Sequence, residues 1–255
     1  MINWLVVLFN RSKSFATARR VRESFGQLLT KVLAEFGILL SFGLIAAVGA
    51  LLLFYALAQQ VNEGNTRQVD EAALAVVNRF ASPRLTFFMR VVTYLGSNEF
   101  LIYLGAYIVI AFALVRWKRA MITFLITMAG AAVLNFTLKM SFGRERPEPF
   151  FGIPQPESYS FPSGHALFSF CFYGVLAAVI TARIEGTGRR IAVWVSAAIV
   201  VTLIGFSRIY LGVHYPSDVL AAYFAAFIWL VIVASTDRLM RARVNAKDRH
   251  LPRTD

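Results

Sequence analysis

The chain contains little cysteine and little charge. Its one cysteine, Cys171, in 255 residues excludes an intramolecular disulfide, and we interpret it as a small buried hydrophobic residue. Charged residues make up 16% of the chain against 58% apolar residues, a balance far from that of a soluble domain. The composition therefore indicates a membrane protein.

Six long stretches contain no acidic or basic side chain. Each is close to or above the roughly 17 to 25 residues that a helix needs to cross about 30 Å of hydrocarbon. We therefore predict an all-α integral membrane protein, a single domain over 1–255, with six transmembrane helices over residues 36–62, 100–115, 120–138, 166–182, 191–207 and 219–236.

Lysine and arginine are distributed unequally between the two sides that six spans define. Eighteen of the 26 lie on one side, which includes basic segments at 1–35 and 237–255. The positive-inside rule makes both termini cytoplasmic and turns the polar motifs outward. Anionic lipid headgroups account for the basic ends at about 1 kcal/mol per charge, so we expect no nucleic-acid partner. Residues 1–9 are apolar with no preceding positive charge, and we expect no cleavable signal peptide.

Residues 61–98 form the long external connection. We predict amphipathic helices over 70–80 and 84–95, and Ser82 followed by Pro83 is typical of a helix start. The connection is either a lid above the site or a segment that simply packs against the bundle.

Three polar clusters interrupt the apolar chain. They supply three cations, two imidazoles, one carboxylate and a glycine-containing turn, which are the groups needed to hold a tetrahedral phosphate and attack it through histidine. The pattern therefore indicates a phosphatase. The clusters are Lys139, Arg146 and Pro147; Pro162, Ser163, Gly164 and His165; and Ser207, Arg208, His214 and Asp218.

His214 lies four residues before Asp218, with Pro216 between them at the predicted start of the last helix. A carboxylate bonded to one imidazole nitrogen fixes the tautomer and leaves the other lone pair free for attack on phosphorus. We therefore predict His214 as the nucleophile and Asp218 as its orienting partner.

Ser163, Gly164 and His165 stand at the predicted start of the fourth span. The unpaired amides and positive dipole end of a helix N-terminus make an anion site. Ser163 adds a hydroxyl, and Gly164 lets the backbone approach a phosphate. We predict that His165 protonates the departing oxygen as a general acid.

Lys139, Arg146 and Arg208 are the predicted charge clamp for the phosphoryl oxygens. Arg144 lies outside this spacing, and we expect it to contact substrate or only solvent. We expect no metal ion and no other cofactor, because the clustered cations would repel a divalent ion.

The three clusters, in this order, resemble the signature of the type 2 phosphatidic acid phosphatase (PAP2) superfamily, which includes membrane lipid phosphatases, glucose-6-phosphatases and vanadium haloperoxidases. The resemblance covers residues 139–218. It implies a covalent phosphohistidine on His214, with Asp218 and His165 in the roles given above, and a metal-independent reaction.

Several alternatives share these motifs. A lipid-to-lipid phosphotransferase would use the same intermediate, whereas a transporter is disfavoured because no charge lies in the middle of a span. A haloperoxidase is disfavoured because that branch is soluble. The substrate is expected to be an amphiphile such as phosphatidic acid, phosphatidylglycerophosphate, polyprenyl (undecaprenyl) diphosphate or a lipid A phosphate. The expected location is a bacterial inner membrane with the site facing outward, and the oligomeric state stays open.

Overall fold

The computed structural model describes residues 38–153 and 157–249, and this part of the chain is entirely helical apart from its connections. It contains the helices α1 Ile38–Asn62, α2 Arg67–Asn78, α3 Pro83–Tyr94, α4 Asn98–Leu114, α5 Lys118–Phe142, α6 Gly164–Thr181, α7 Thr187–Tyr210 and α8 Pro216–Arg249. The predictions for residues 1–35 and for the last six residues of the basic tail lie outside the described residues.

The described residues fall into two units. Ala47–Asp237 forms one compact unit, which contains every predicted site residue. The described residues outside it, 38–46 and 238–249, belong to the other unit. The prediction of a single domain over the whole chain stays a prediction.

Five of the helices are long and apolar enough to cross a membrane: α1, α5, α6, α7 and α8. The second predicted span falls on α4, which has 17 residues. This helix is long enough to count as a candidate span only when it is taken together with α3, and the two helices are bent by 44° relative to each other. The described residues therefore contain five spans, or six if the bent pair is one broken span, and the chain is an integral membrane protein.

Large apolar side chains on these spans lie at the surface, as lipid contact requires. Leu52, Ile102 and Phe136 are each more than 60% exposed. One core cluster, between α5, α6 and α8, consists mostly of small residues, which let the helices approach closely. This core contains Ala131, Ala166, Leu167, Cys171, Val219, Ala222, Ala225 and Ala226, so the predicted burial of Cys171 is confirmed.

α7 packs closely against α8 at Gly205. A Cβ atom there would lie 1.9 Å from the Tyr223 hydroxyl oxygen, and that hydroxyl donates to the Val201 carbonyl at 2.8 Å. The absence of a side chain at Gly205 therefore allows α7 and α8 to pack closely. The end of α7 and the start of α8 carry the third polar cluster.

The connection between α1 and α4 contains the two predicted helices. α3 begins at Pro83, and the Ser82 side chain accepts a hydrogen bond from the Leu85 amide, which confirms the predicted helix start. Both α2 and α3 contact α7. The Tyr210 hydroxyl at the end of α7 bonds the Thr86 hydroxyl at 2.9 Å. In the described conformation this connection is packed on the end of the bundle that carries the polar motifs.

Candidate active site

The three polar clusters meet at one end of the bundle. Successive antiparallel helices place the end of α5, the start of α6, the end of α7 and the start of α8 side by side. Arg146 Nη1 lies 3.1 Å from His214 Nε2, and the Ser163 amide donates to the Asp218 carbonyl at 3.1 Å. The structure thus brings together residues from three clusters that span 139–218 in the sequence.

His214 and Asp218 form a buried pair. The exposed fractions of the two residues are 2% and 0%. His214 Nδ1 lies 3.3 Å from Asp218 Oδ2. The same carboxylate oxygen accepts from the Tyr215 amide at 2.9 Å, because Pro216 starts α8 and leaves the amides of its first turn unpaired. A carboxylate held in this way keeps a proton on Nδ1 and leaves the Nε2 lone pair available.

Ser160 completes the surroundings of this pair. Its hydroxyl donates to Asp218 Oδ2 and lies 3.4 Å from His214 Nδ1. The motif analysis missed Ser160, because it precedes the second cluster and only the folded loop brings it to the carboxylate.

Arg146 lies beside the opposite nitrogen of the imidazole. Its Nη1 atom is 3.1 Å from His214 Nε2. Backbone carbonyls fix the guanidinium, with Nε donating to Ser158 at 2.7 Å and Nη1 to Val213 at 2.9 Å. Lys139 donates to the carbonyl of Tyr159 in the same loop. An anion bound by Arg146 would therefore lie next to the lone pair of His214.

Two buried donors near these groups have no hydrogen-bond partner among the described residues. They are the Ser163 hydroxyl and Nε of Arg208, and both residues are less than 10% exposed. Arg208 Nη1 donates to the Thr93 hydroxyl at 2.9 Å, so Thr93 of α3 is a further neighbour that the motif analysis missed. Unsatisfied buried donors are destabilising unless a ligand satisfies them, and a bound phosphate would do so.

His165 and Gly164 occupy the first turn of α6, as predicted. The Ser163 side chain makes no capping bond to this helix, which leaves its first amides available to an anion. A Cβ on Gly164 would lie 3.3 Å from Asn135 Oδ1. The missing side chain at this position therefore also lets α6 approach α5 one turn before Lys139.

Arg144 lies in a different environment from the predicted contact with substrate or solvent. Its side chain is only 13% exposed, and its terminal nitrogens lie 2.6 Å from Asp218 Oδ1 and 2.8 Å from Asp70 Oδ2. Neither solvent nor substrate is therefore its main partner. Asp70 was also missed, although the sequence held a signal: it shares the buried face of α2 with Leu74, where an apolar residue is expected.

Burial controls the ionisation of the site. It lowers the pKa of His214 to about 3 and outweighs Asp218, which raises that pKa. The charges of Arg208 and Arg146 lower the pKa of His214 further. Burial also lowers the pKa of Arg146, partly offset by Asp218. A neutral imidazole next to several cations is the form that a nucleophile requires.

Comparisons with known proteins agree with this geometry. Residues 120–240 match the PAP2 superfamily. Phosphatidylglycerophosphatase B from Bacillus subtilis is 28% identical over 195 residues, which cover 76% of this chain and 96% of the relative. Undecaprenyl-diphosphatase from Sulfolobus acidocaldarius is 32% identical over 113 residues, 42% of this chain and 50% of the relative. The crystal structure of a transmembrane PAP2-type phosphatidylglycerolphosphate phosphatase from Bacillus subtilis has a TM-score of 0.69 at 27% identity, and the match covers 82% of this chain and 98% of that one.

The fold and the site together define a transmembrane phosphatase whose polar motifs meet at one end of a helical bundle. Over residues 120–240 the chain thus matches the PAP2 superfamily, and the relatives named above are phosphatases. It is accordingly a phosphoric ester hydrolase, and the region 120–240 contains all three polar clusters.

The ionisation of His214 can be measured directly, because the chain has only three histidines. In a His165→Asn, His250→Asn variant labelled with ¹⁵N-histidine, we expect the single imidazole to stay neutral well below pH 6.5 and to protonate towards pH 3. The same chain in denaturant serves as the control, and its imidazole should titrate at about pH 6.5. The unfolded chain then binds more protons, so stability should fall as pH decreases through this window. A midpoint near 6.5 in the folded protein would contradict the argument.

Proposed function

We propose that the chain is a metal-independent lipid phosphatase that removes a terminal phosphate, as monoester or diphosphate, through a phosphohistidine on His214. The observation that carries this proposal is the buried His214–Asp218 pair with Arg146 at 3.1 Å from the free ring nitrogen. It puts a neutral nucleophile and an anion-binding cation side by side.

In the first step, Nε2 of His214 attacks phosphorus while the bond from phosphorus to the leaving oxygen breaks. His165 donates a proton to that oxygen, so the lipid leaves as an alcohol or as a lipid monophosphate. Asp218 keeps the proton on Nδ1 and stabilises the positive ring that results. Lys139, Arg146 and Arg208 neutralise the phosphoryl oxygens.

In the second step, water attacks the phosphohistidine and the bond between phosphorus and Nε2 breaks. His165, now without its proton, accepts one from the water. Phosphate is released and His214 returns to its neutral form. The Ser163 hydroxyl and Arg208 Nε, which are unsatisfied among the described residues, would donate to the phosphate throughout both steps.

A membrane lipid is the proposed substrate, because the site is built at the ends of membrane-spanning helices. The names of the relatives suggest phosphatidylglycerophosphate and undecaprenyl diphosphate as the first candidates. Both carry a terminal phosphate on an apolar anchor. Phosphatidic acid and lipid A phosphates share this chemistry and belong in the same comparison.

We further propose that the chain lies in a bacterial inner membrane with both termini cytoplasmic and the site facing outward. The distribution of lysine and arginine supports this orientation, because eighteen of the 26 fall on the side opposite the site.

The substrate class can be tested with purified protein in detergent and a set of these four lipids. We expect phosphate release that persists in EDTA and that vanadate inhibits, because the site offers cations and imidazoles to a five-coordinate phosphate mimic. The His214→Ala protein, checked for the same thermal stability, is the control. Activity that EDTA abolishes and magnesium or zinc restores would contradict the proposed mechanism.

Alanine variants of the two histidines should differ in phosphoenzyme formation and in their dependence on the leaving group. Replacing His214 with alanine should lower turnover by roughly a thousandfold or more and abolish the phosphoenzyme. His165→Ala should impair lipid hydrolysis severely but partly spare p-nitrophenyl phosphate, whose leaving group needs little protonation. The phosphoenzyme is trapped in alkaline detergent, since phosphohistidine is labile in acid, and is mapped by mass spectrometry. Label on His165, or a phosphorylated His214→Ala protein, would exclude the assignment.

The orientation can be tested by cysteine labelling in a Cys171→Ala background. Glu148 and Thr187 are both exposed and lie near opposite ends of the bundle. We expect Glu148→Cys to react with an impermeant maleimide in intact cells and Thr187→Cys to react only after permeabilisation. A permeant maleimide should label both and controls for accessibility. The reverse pattern would invert the proposed topology.

A further inference from the structure

A chain of buried charges lies behind the His214–Asp218 pair. Arg144 is placed between two carboxylates, at 2.6 Å from Asp218 Oδ1 and 2.8 Å from Asp70 Oδ2. The exposed side-chain fractions are 13% for Arg144, 5% for Asp70 and 0% for Asp218. In such a site an unpaired charge is strongly destabilising, so the three groups depend on one another.

Asp70 is fixed as firmly as the arginine it binds. Its two oxygens accept from the Ser217 amide at 3.1 Å and from the Ser217 hydroxyl at 2.6 Å. Arg144 also donates to the Thr66 hydroxyl at 3.2 Å and stacks on the Tyr215 ring at 4.2 Å. The first turn of α2, the guanidinium and the first turn of α8 therefore form one connected network.

The two oxygens of Asp218 have separate partners. Oδ2 faces His214 Nδ1, whereas Oδ1 is bound by Arg144. Without Arg144, the carboxylate would lose the cation that holds Oδ1. The charges of Arg146 and Lys139 also attract Asp218, and Arg146 lies on the Nε2 side of the imidazole. Ser160 and the Tyr215 amide would still bind Oδ2, but with Oδ1 released the carboxylate could rotate away from the direction of His214 Nδ1.

We propose that Arg144 and Asp70 are positioning residues for the phosphatase reaction: Asp70 fixes the Arg144 guanidinium, and Arg144 holds Asp218 so that Oδ2 stays directed at His214 Nδ1. This inference rests on the proposed function, since it assigns the nucleophile to His214. Neither residue touches the reacting atoms.

The charge of this network also suits the proposed intermediate. Asp70, Arg144 and Asp218 together carry one net negative charge when ionised. A ring phosphorylated on Nε2 and protonated on Nδ1 carries a positive charge, which this network stabilises. Loss of Asp70 would make the network neutral, and loss of Arg144 would leave two carboxylates that repel each other.

The first test compares turnover in four variants. Arg144→Gln and Asp70→Asn should each lower kcat about 10- to 100-fold, as removal of groups that orient a functional side chain does in other sites, with little change in KM. Arg144→Lys keeps the charge but lacks the two-pronged geometry, so it should retain more activity than Arg144→Gln. The double variant Arg144→Gln, Asp70→Asn should be no slower than Arg144→Gln alone, because both changes remove one interaction.

The matched control is Arg67→Gln on the same helix as Asp70. Arg67 pairs with Glu71 at 2.8 Å, but the side chains are 74% and 53% exposed. Exposed pairs contribute little, and kcat should stay at the wild-type level. All variants are compared per folded molecule, with thermal stability measured alongside.

The second test measures the tautomer of the His214 imidazole instead of the reaction rate. In the background where His214 is the only histidine, ¹⁵N shifts should report a proton on Nδ1 in the parent and a mixture with the Nε2-protonated form in Arg144→Gln and Asp70→Asn. A purely structural role would lower stability without moving this ratio. The readout does not depend on which residue attacks phosphorus.

The outcomes distinguish failure of the positioning role from failure of the nucleophile assignment. Asp70→Asn and Arg144→Lys keep most of the network and can be measured even if Arg144→Gln fails to fold. The inference would be overturned if both variants had the wild-type kcat per folded molecule and an unchanged His214 tautomer. A shifted tautomer in a chain whose His214→Ala form still makes phosphoenzyme would instead overturn the proposed function and leave the positioning intact.

Discussion

The Asp218 carboxylate is the group on which the rest of the site depends. It is fully buried, yet it is surrounded by four donors from three parts of the chain: Ser160, His214, the Tyr215 amide and Arg144. A carboxylate in such a place is tolerated only when its lone pairs are satisfied. The loop before α6, the turn before α8 and the end of α5 are therefore held together by one charge.

The membrane explains why the site is built at helix ends. Charges in the middle of a span are expensive, whereas the ends of helices offer unpaired amides and carbonyls that water or polar groups can reach. Lys139 and Arg208 lie in the last turns of α5 and α7, and Ser163 occupies the N-cap position of α6. Loop carbonyls fix Arg146. Below these ends the interior is apolar, with small residues between α5, α6 and α8 and a close helix contact at Gly205.

Much of the architecture could be predicted from local patterns. Hydropathy identified the spans on α1 and α5 to α8, because spanning helices satisfy their backbone internally and leave a long apolar signal. It was less informative for α4, because this helix has 17 residues and continues α3 across a 44° bend. Near this bend Thr93 of α3 accepts a hydrogen bond from Arg208 of α7, a tertiary contact that hydropathy does not reveal.

The sequence by itself determined the membrane class and the chemistry of the three clusters, because residue type and spacing decide both hydropathy and the groups available to a phosphate. Only the tertiary structure decided which polar residues share the carboxylate. Asp70 and Arg144 are 74 positions apart, and no local pattern joins them. Their pairing follows from α2 packing over the start of α8, where a buried carboxylate and a buried guanidinium can be stable only together.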